Sequence, residues 1–199
     1  MAITNGYCTL NELKASLRIP TSDTVDDDLL ELAVESASRD IDQACERQFY
    51  STATTRIYTP RDSFNCEIDD LVSVTSIKTS SAADGVFDVT WTSSDYQLMP
   101  LNGLAGGMVL PYDLIYAVGD YTFPTSGNEA TVQVVGTFGF SSVPTAIKQA
   151  TVLLGARIFK RNDSPGGVMG FGDLGVIRVG RMDPDIDRLI QPYKKVRFA

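Results

Sequence analysis

Between Thr24 and about Phe49, the residues Leu30, Val34, Ala37, Ile41, Ala44, Cys45 and Gln48 recur at steps of three and four. At 3.6 residues per turn they form one apolar stripe with a single polar exception, which predicts a helix. Thr24 is placed to cap its first turn, and Asp26, Asp27 and Asp28 sit where the positive end of a helix dipole favours anions. No Pro or Gly interrupts it, and at about 1.5 Å per residue it would span roughly 35 Å. Upstream, Thr9-Leu10-Asn11-Glu12 reads as a capping box, and Leu10, Leu13 and Leu17 give a short helix one apolar edge before Pro20 ends it. Residues 1–49 are therefore expected to be a helical hairpin.

After Phe49 the pattern shifts to period two. Strands are predicted at Arg56 to Thr59, closed by Pro60, at Phe64 to Ile68, and over the β-branched, alternating run from Leu71 to Ile77. Others are expected at Phe87 to Trp91, Tyr96 to Pro100, Met108 to Leu110 and Ala130 to Phe138. Asp84-Gly85, Asn102-Gly103, Gly106-Gly107 and Ser126-Gly127-Asn128 supply the turns between them. Residues 50–142 form a β-rich module of antiparallel hairpins or a small barrel. Helical spacing returns at Ile147, Ala150, Thr151, Leu154, Ile158 and Phe159, with Pro144 in the first turn and Lys160 and Arg161 near the negative end. A Gly-rich stretch, Asn162 to Gly175, is expected to be a flexible loop containing Gly166, Gly167, Gly170, Gly172 and Gly175. A strand follows at Val176 to Val179, then a helix from Pro184 to Tyr193 capped by Asp183, and a basic amphipathic tail. The expected fold class is α+β: one domain over 1–199, in which an N-terminal helical hairpin and C-terminal helices, 143–199, pack together around the inserted β module.

A 199-residue chain can bury about 70% of the surface its unfolded form exposes, so no disulfide or metal is needed to stabilise it. With 43% hydrophobic and 21% charged residues the composition is that of a soluble globular protein, and no apolar run approaches the ~20 residues of a membrane span. The N-terminus lacks a basic segment followed by an apolar core, so secretion is not indicated. The net charge of −8 argues against gripping nucleic acid by counterion release, although an acidic channel wall would let a duplex slide.

Candidate chemistry is sparse. Cys8, Cys45 and Cys66 are widely spaced and the chain has no histidine, so buried free thiols are expected rather than zinc. Ser-His-Asp and Cys-His catalysis are impossible within the chain. Gly170-Phe171-Gly172-Asp173-Leu174-Gly175 matches G-x-G-x-x-G, but no strand precedes it and β-branched residues follow, so it lacks the context that places a pyrophosphate on a helix N-terminus. Asp26 to Asp28 and the acidic run Asp183, Asp185, Asp187 would suit a hard cation, yet both start helices, where carboxylates answer the dipole. The scattered aromatics, Trp91 and Tyr96 among them, have no interleaved basic residues and read as packing.

A resemblance goes further. Tyr7-Cys8-Thr9-Leu10-Asn11-Glu12-Leu13-Lys14, then Asp27-Asp28-Leu29-Leu30, then Cys45-Glu46-Arg47-Gln48-Phe49, resembles the head-to-tail connector (adaptor) proteins of long-tailed bacteriophages. Val143-Pro144-Thr145-Ala146-Ile147, Arg157, Arg161, Ser164-Pro165-Gly166-Gly167, Asp183-Pro184 and Pro192-Tyr193 are similar to the closing part of the longer adaptors. The resemblance leaves residues of about 80–130 uncovered, and the large β module departs from the smallest members.

The resemblance implies a structural virion protein and not an enzyme, without cofactor or metal. Made in the bacterial host cytoplasm, it would sit at the head-tail junction, or neck. It would form a ring, usually of about twelve copies, under the portal protein, extend the DNA channel without sequence-specific binding, and present a platform to the next connector or tail protein. Rings built head to tail need two complementary surfaces per subunit. Asp40, Asp42, Glu46 and Arg47 on the long helix, facing Lys160, Arg161, Arg178, Arg181 and Arg188, are the expected pairing. Tyr193, Lys194, Lys195, Arg197 and Phe198 are the expected portal-docking tail. The alternatives are another virion component, such as a minor capsid or baseplate protein, or an enzyme holding a metal through carboxylates.

Overall fold

Helix α1 spans Leu10–Leu17 behind the expected capping box: the Glu12 amide donates to Thr9 Oγ1 at 3.2 Å and the Thr9 amide to Glu12 Oε2 at 2.8 Å. It stops before Pro20. Arg18 takes a left-handed conformation, φ 61°, and closes the end by donating its amide to Ala15 O at 3.2 Å. The computed structural model describes residues 2–125, 129–161 and 183–195. Contacts within the chain divide it into two compact units, Met1–Phe49 with Val143–Ala199, and Tyr50–Ser142. Each is described by itself.

In the helical unit, α2 spans Asp27–Cys45, shorter at both ends than the hydrophobic pattern implies. Asp26 occupies the N-cap without a side-chain hydrogen bond, and Thr24 contributes only its carbonyl, to the Asp27 amide at 3.4 Å. At the other end Glu46 turns left-handed, φ 53°, and takes Gln48 and Phe49 off the helix axis. The buried stripe is Leu30, Ala33, Val34, Ala37, Ser38, Ile41 and Cys45. Ser38, the polar member, is satisfied: its hydroxyl donates to Val34 O at 2.7 Å and accepts the Tyr7 amide at 3.1 Å.

Helix α3, Thr145–Lys160, has Pro144 at the N-cap, one position earlier than expected, and buries Ile147, Ala150, Thr151 and Gly155. It packs against α1 and α2, where Cys8, Leu13, Leu30, Ala33 and Val34 form one cluster flanked by Val152, Ala156 and Phe159. Helix α4, Pro184–Ile190, starts as expected: Asp183 Oδ1 accepts the Asp185 amide at 3.0 Å, and Ile186 and Ile190 are buried. A short 3-10 turn, Gln191–Tyr193, follows. The expected Gly-rich loop and the strand at Val176 to Val179 lie outside the described residues.

The second unit is an antiparallel sheet of β1 (Thr52–Tyr58), β2 (Asn65–Thr79), β3 (Val89–Trp91), β4 (Tyr96–Met99), β7 (Tyr112–Ala117) and β8 (Val132–Phe138). Its order is β1-β8-β2-β7-β4, with β3 also on β2, so among the described residues it is an open sheet rather than a barrel. A separate hairpin, β5 (Leu104–Ala105) with β6 (Met108–Val109), lies between β4 and β7 in sequence. The two strands expected at Phe64 to Ile68 and Leu71 to Ile77 are halves of the single 15-residue β2. A register shift between Glu67 and Leu71 on the β7 side carries β2 through the acidic pair Asp69-Asp70 without ending the strand.

The sheet's core gathers Cys66, Ile68, Leu71, Ile77, Trp91, Ile115, Phe123, Val134 and Phe138. Trp91 stacks on Phe123 with ring centroids 4.6 Å apart, and its Nε1 donates to Thr79 Oγ1 at 3.0 Å. Gly136 in β8 allows the tightest backbone approach: a Cβ there would stand 2.3 Å from Ser73 O. Gly136→Ala therefore forces β8 away from β2 and is expected to lower stability by about 2 kcal/mol, read from the urea midpoint.

Candidate functional surfaces

The charged residues at the C-terminal half of α2 do not form one solvent-facing patch. Tyr7, 2% exposed, donates its hydroxyl to Asp42 Oδ1 and accepts the Phe49 amide at 2.9 Å. Arg39 pairs with Asp42 through Nε to Oδ2 at 3.0 Å, lies 5.5 Å over the Tyr7 ring, and donates from Nη2 to Asn5 O at 3.0 Å. Burial raises the Asp42 carboxyl above its ordinary range against the opposing pull of the Tyr7 hydroxyl and Arg39. Burial also drives the Tyr7 phenol far above its ordinary range. Asp42 thus ties α2 to the N-terminal segment and to the chain leaving the helix. No sequence signal marked this, because the partners lie 35 residues upstream and seven downstream.

Of the other interface candidates, Asp40 and Glu46 are exposed and Arg47 is half-buried. Lys160 and Arg161 are exposed at the end of α3, and Arg188 is exposed on α4. Arg178 and Arg181 lie outside the described residues, as do Gly166, Gly167, Gly170, Gly172 and Gly175.

The start of the expected docking tail is fastened to its own helices. Tyr193 meets Phe49 edge to face with centroids 5.8 Å apart, Lys194 Nζ pairs with Asp187 Oδ1 at 2.6 Å, and the Lys195 amide donates to Cys45 O at 3.0 Å. Arg197 and Phe198 lie outside the described residues.

Two lysines of the helical unit are paired within it in a way that no sequence pattern marks. Lys14, 1% exposed, donates from Nζ to Asp23 O at 2.6 Å and pairs with the Asp27 carboxylate. Asp27, read as a dipole carboxylate, is also the partner of a buried cation. Across the unit, Lys148 Nζ on α3 pairs with Glu12 Oε1 at 2.9 Å. The Thr9 amide, then Lys148, hold the Glu12 carboxyl below its usual range.

Because the folded state binds the Glu12 proton more weakly than the unfolded chain, the stabilisation is complete above the ordinary glutamate value of about 4.3 and is lost as pH falls through the lowered one. Asp42 has the opposite sign, its contribution fading as pH rises through its raised value. Melting of Glu12→Gln is accordingly expected to depend less on pH between about 5 and 3 than melting of the unaltered protein.

Among the described residues no group of three or more Asp, Glu, Cys or His is placed to hold a metal ion. The three cysteines are buried, and burial pushes the thiols of Cys8 and Cys45 up to about 11 and that of Cys66 to about 12. At neutral pH these are poor nucleophiles.

A family model described as "Phage gp6-like head-tail connector protein" matches residues 7–79. No curated protein sequence matches the chain. Among solved structures, a chain of "Neck of empty GTA particle computed with C6 symmetry" is 20% identical, with a TM-score of 0.61 and coverage of 100% of this chain and 95% of that one. A chain of "Neck of native GTA particle computed with C12 symmetry" is 17% identical, with a TM-score of 0.57, covering 100% and 94%. A chain of "Virion of native gene transfer agent (GTA) particle" is 19% identical, also with a TM-score of 0.57, covering 100% and 95%. At these identities the structures establish a shared fold, and the family model adds the sequence pattern of Tyr7 to Thr79. The resemblance to head-to-tail connector proteins is thereby upheld: over residues 7–79 the chain carries the sequence pattern of the phage gp6-like head-tail connector proteins.

Proposed function

We propose that this protein is a head-to-tail connector that assembles as a ring of about twelve copies at the neck of a virion, beneath the portal. In that place it extends the DNA channel and offers a platform to the next connector or the tail. The observation that carries this reading is the family match from Tyr7 to Thr79, which spans α1, α2 and the first strands. The C6 and C12 symmetry named for the neck structures that share this fold supports a cyclic assembly. The net charge of −8 suits a channel that duplex DNA passes without being held.

In the ring, Asp40 and Glu46 of one copy meet basic groups of the next, with Lys160, Arg161 and Arg188 as partners. Asp42 and Arg47 stand apart from this pairing, Asp42 because its carboxylate is committed to Tyr7 and Arg39, Arg47 because it is half-buried. Arg197 and Phe198 remain the portal-docking candidates by their cationic and aromatic chemistry, while Tyr193, Lys194 and Lys195 anchor the segment to its own subunit. The reading assigns the chain no catalytic step.

The test is native mass determination of the chain alone and mixed with the portal protein of the same phage. A complex carrying about a dozen copies in either sample is the expected result. A chain that stays monomeric and ignores the portal overturns the proposal.

A further inference from the structure

From Tyr96 to Tyr112 the chain carries no charged residue, although charged residues make up 21% of the whole. The centre of this stretch is the β5–β6 hairpin, whose ladder consists of Leu104 opposite Val109 and Ala105 opposite Met108. A ladder so short does not hold itself in water without apolar packing. One face of it, Ala105 with Met108, is half-buried, while Leu101, Leu104 and Val109 are 54%, 57% and 77% exposed. Gly106 and Gly107, both at positive φ, make the turn with open space around them.

The same unit offers a matching surface. Among the described residues strand β1 is an edge of the sheet; it pairs with β8 without a bulge and contains neither Pro nor Lys. It lacks the devices that usually keep an edge from pairing with another chain. Its one charge, Arg56, is engaged within the unit, pairing with Asp69 at 2.7 Å and lying 4.5 Å over the Phe138 ring. Strand alternation places Ala53, Thr55 and Ile57 on the face opposite Arg56, all exposed and uncharged. An uncharged hairpin fits such a face because neither side must strip water from a charge.

The sheet order decides whose hairpin arrives. The hairpin leaves the sheet from β4 and enters β7 at one side, whereas β1 is the opposite edge, four strand spacings or roughly 19 Å away. Two complementary surfaces on opposite sides of one unit are what a head-to-tail contact between copies requires, and a ring closes that contact on itself. We infer that the β5–β6 hairpin of one copy docks on the edge and outward face of β1 in the next copy. The contact rests on the ring reading above and specifies which surfaces the ring joins.

Native mass spectra of the unaltered protein, Val109→Lys and Ile57→Lys, each with and without portal protein, test the inference. Circular dichroism and melting confirm that the exposed substitutions leave the fold intact. Both variants are expected to need at least tenfold more protein to form the ring. A double variant, Leu104→Cys with Thr55→Cys, is expected to give a ladder of disulfide-linked multimers on oxidation, undisturbed by the three buried native thiols. If the unaltered protein forms no ring even with portal present, both the functional reading and this contact fall. Folded variants that assemble at unchanged concentration overturn the contact alone. Rings that persist in Val109→Lys while portal binding is lost also overturn it, and assign the hairpin to the portal.

Discussion

Replacing Lys14 by Ala is expected to destabilise the protein by about 3–5 kcal/mol, because it leaves the Asp27 carboxylate and the Asp23 carbonyl without the cation that neutralises them. Lys14 is 1% exposed, beside Leu13 on the inward side of α1, and its Nζ reaches the turn that leads into α2. The pair therefore holds two helices at a fixed angle, in addition to satisfying charges. Lys14→Met separates the contributions: it keeps the apolar stem, which packs along the helix, and removes only the ammonium group. Urea denaturation is expected to rank the unaltered protein above Met and Met above Ala. A loss below about 1 kcal/mol in both would mean that water replaces the ammonium group, as at an exposed ion pair.

The second large effect distinguishes two aspartates that look alike in the sequence. Asp42→Lys is expected to lower stability by about 3 kcal/mol, since it places a cation against Arg39 and removes the acceptor of the Tyr7 hydroxyl. Asp40→Lys, two positions away on an exposed face, is expected to change stability by no more than about 0.5 kcal/mol. If the exposed face of α2 is a subunit contact, Asp40→Lys weakens ring formation in a protein that melts normally. Equal stability of the two variants, measured by thermal melting, would remove the internal role assigned to Asp42.

These contrasts show where sequence pattern stops. The spacing of Leu30, Val34, Ala37, Ile41 and Cys45 identified the buried side of α2, because a helix repeats its faces every three to four residues whatever packs on them. The capping box of Thr9 with Glu12 and the cap at Asp183 were equally legible, since a cap acts on its own next turn. Helix ends were less so. Left-handed residues at Arg18 and Glu46 end α1 and α2 short of where Pro20 and Phe49 suggested, and neither is a residue type that announces that conformation.

In the β unit, alternation located most strands, but not β7, whose Tyr-Asp-Leu-Ile-Tyr-Ala was not recognised. Nor did it reveal that β2 continues through an acidic pair, because a register shift depends on the neighbouring strands. Of the candidate surfaces, the sequence identified which residues carry charge and left undecided which of them are already occupied. Asp42, Lys194 and the backbone of Lys195 are bound within their own subunit, whereas nothing in the residue pattern links the uncharged hairpin to β1.

By itself, then, the sequence determined the α+β class, the β module placed between helical segments, the absence of histidine chemistry and the likeness to head-to-tail connectors. All of these follow from local periodicity, local capping or residue identity, which need no partner from elsewhere in the chain. The tertiary structure alone decided that Lys14 is buried on Asp27, that Asp42 joins Tyr7 and Arg39, that β1 is the edge of the sheet among the described residues and that the hairpin leaves from the other side. Each depends on contacts between residues far apart in sequence or on the order of strands in a sheet, and a charge or an apolar side chain has the same spelling whether or not folding has given it a partner.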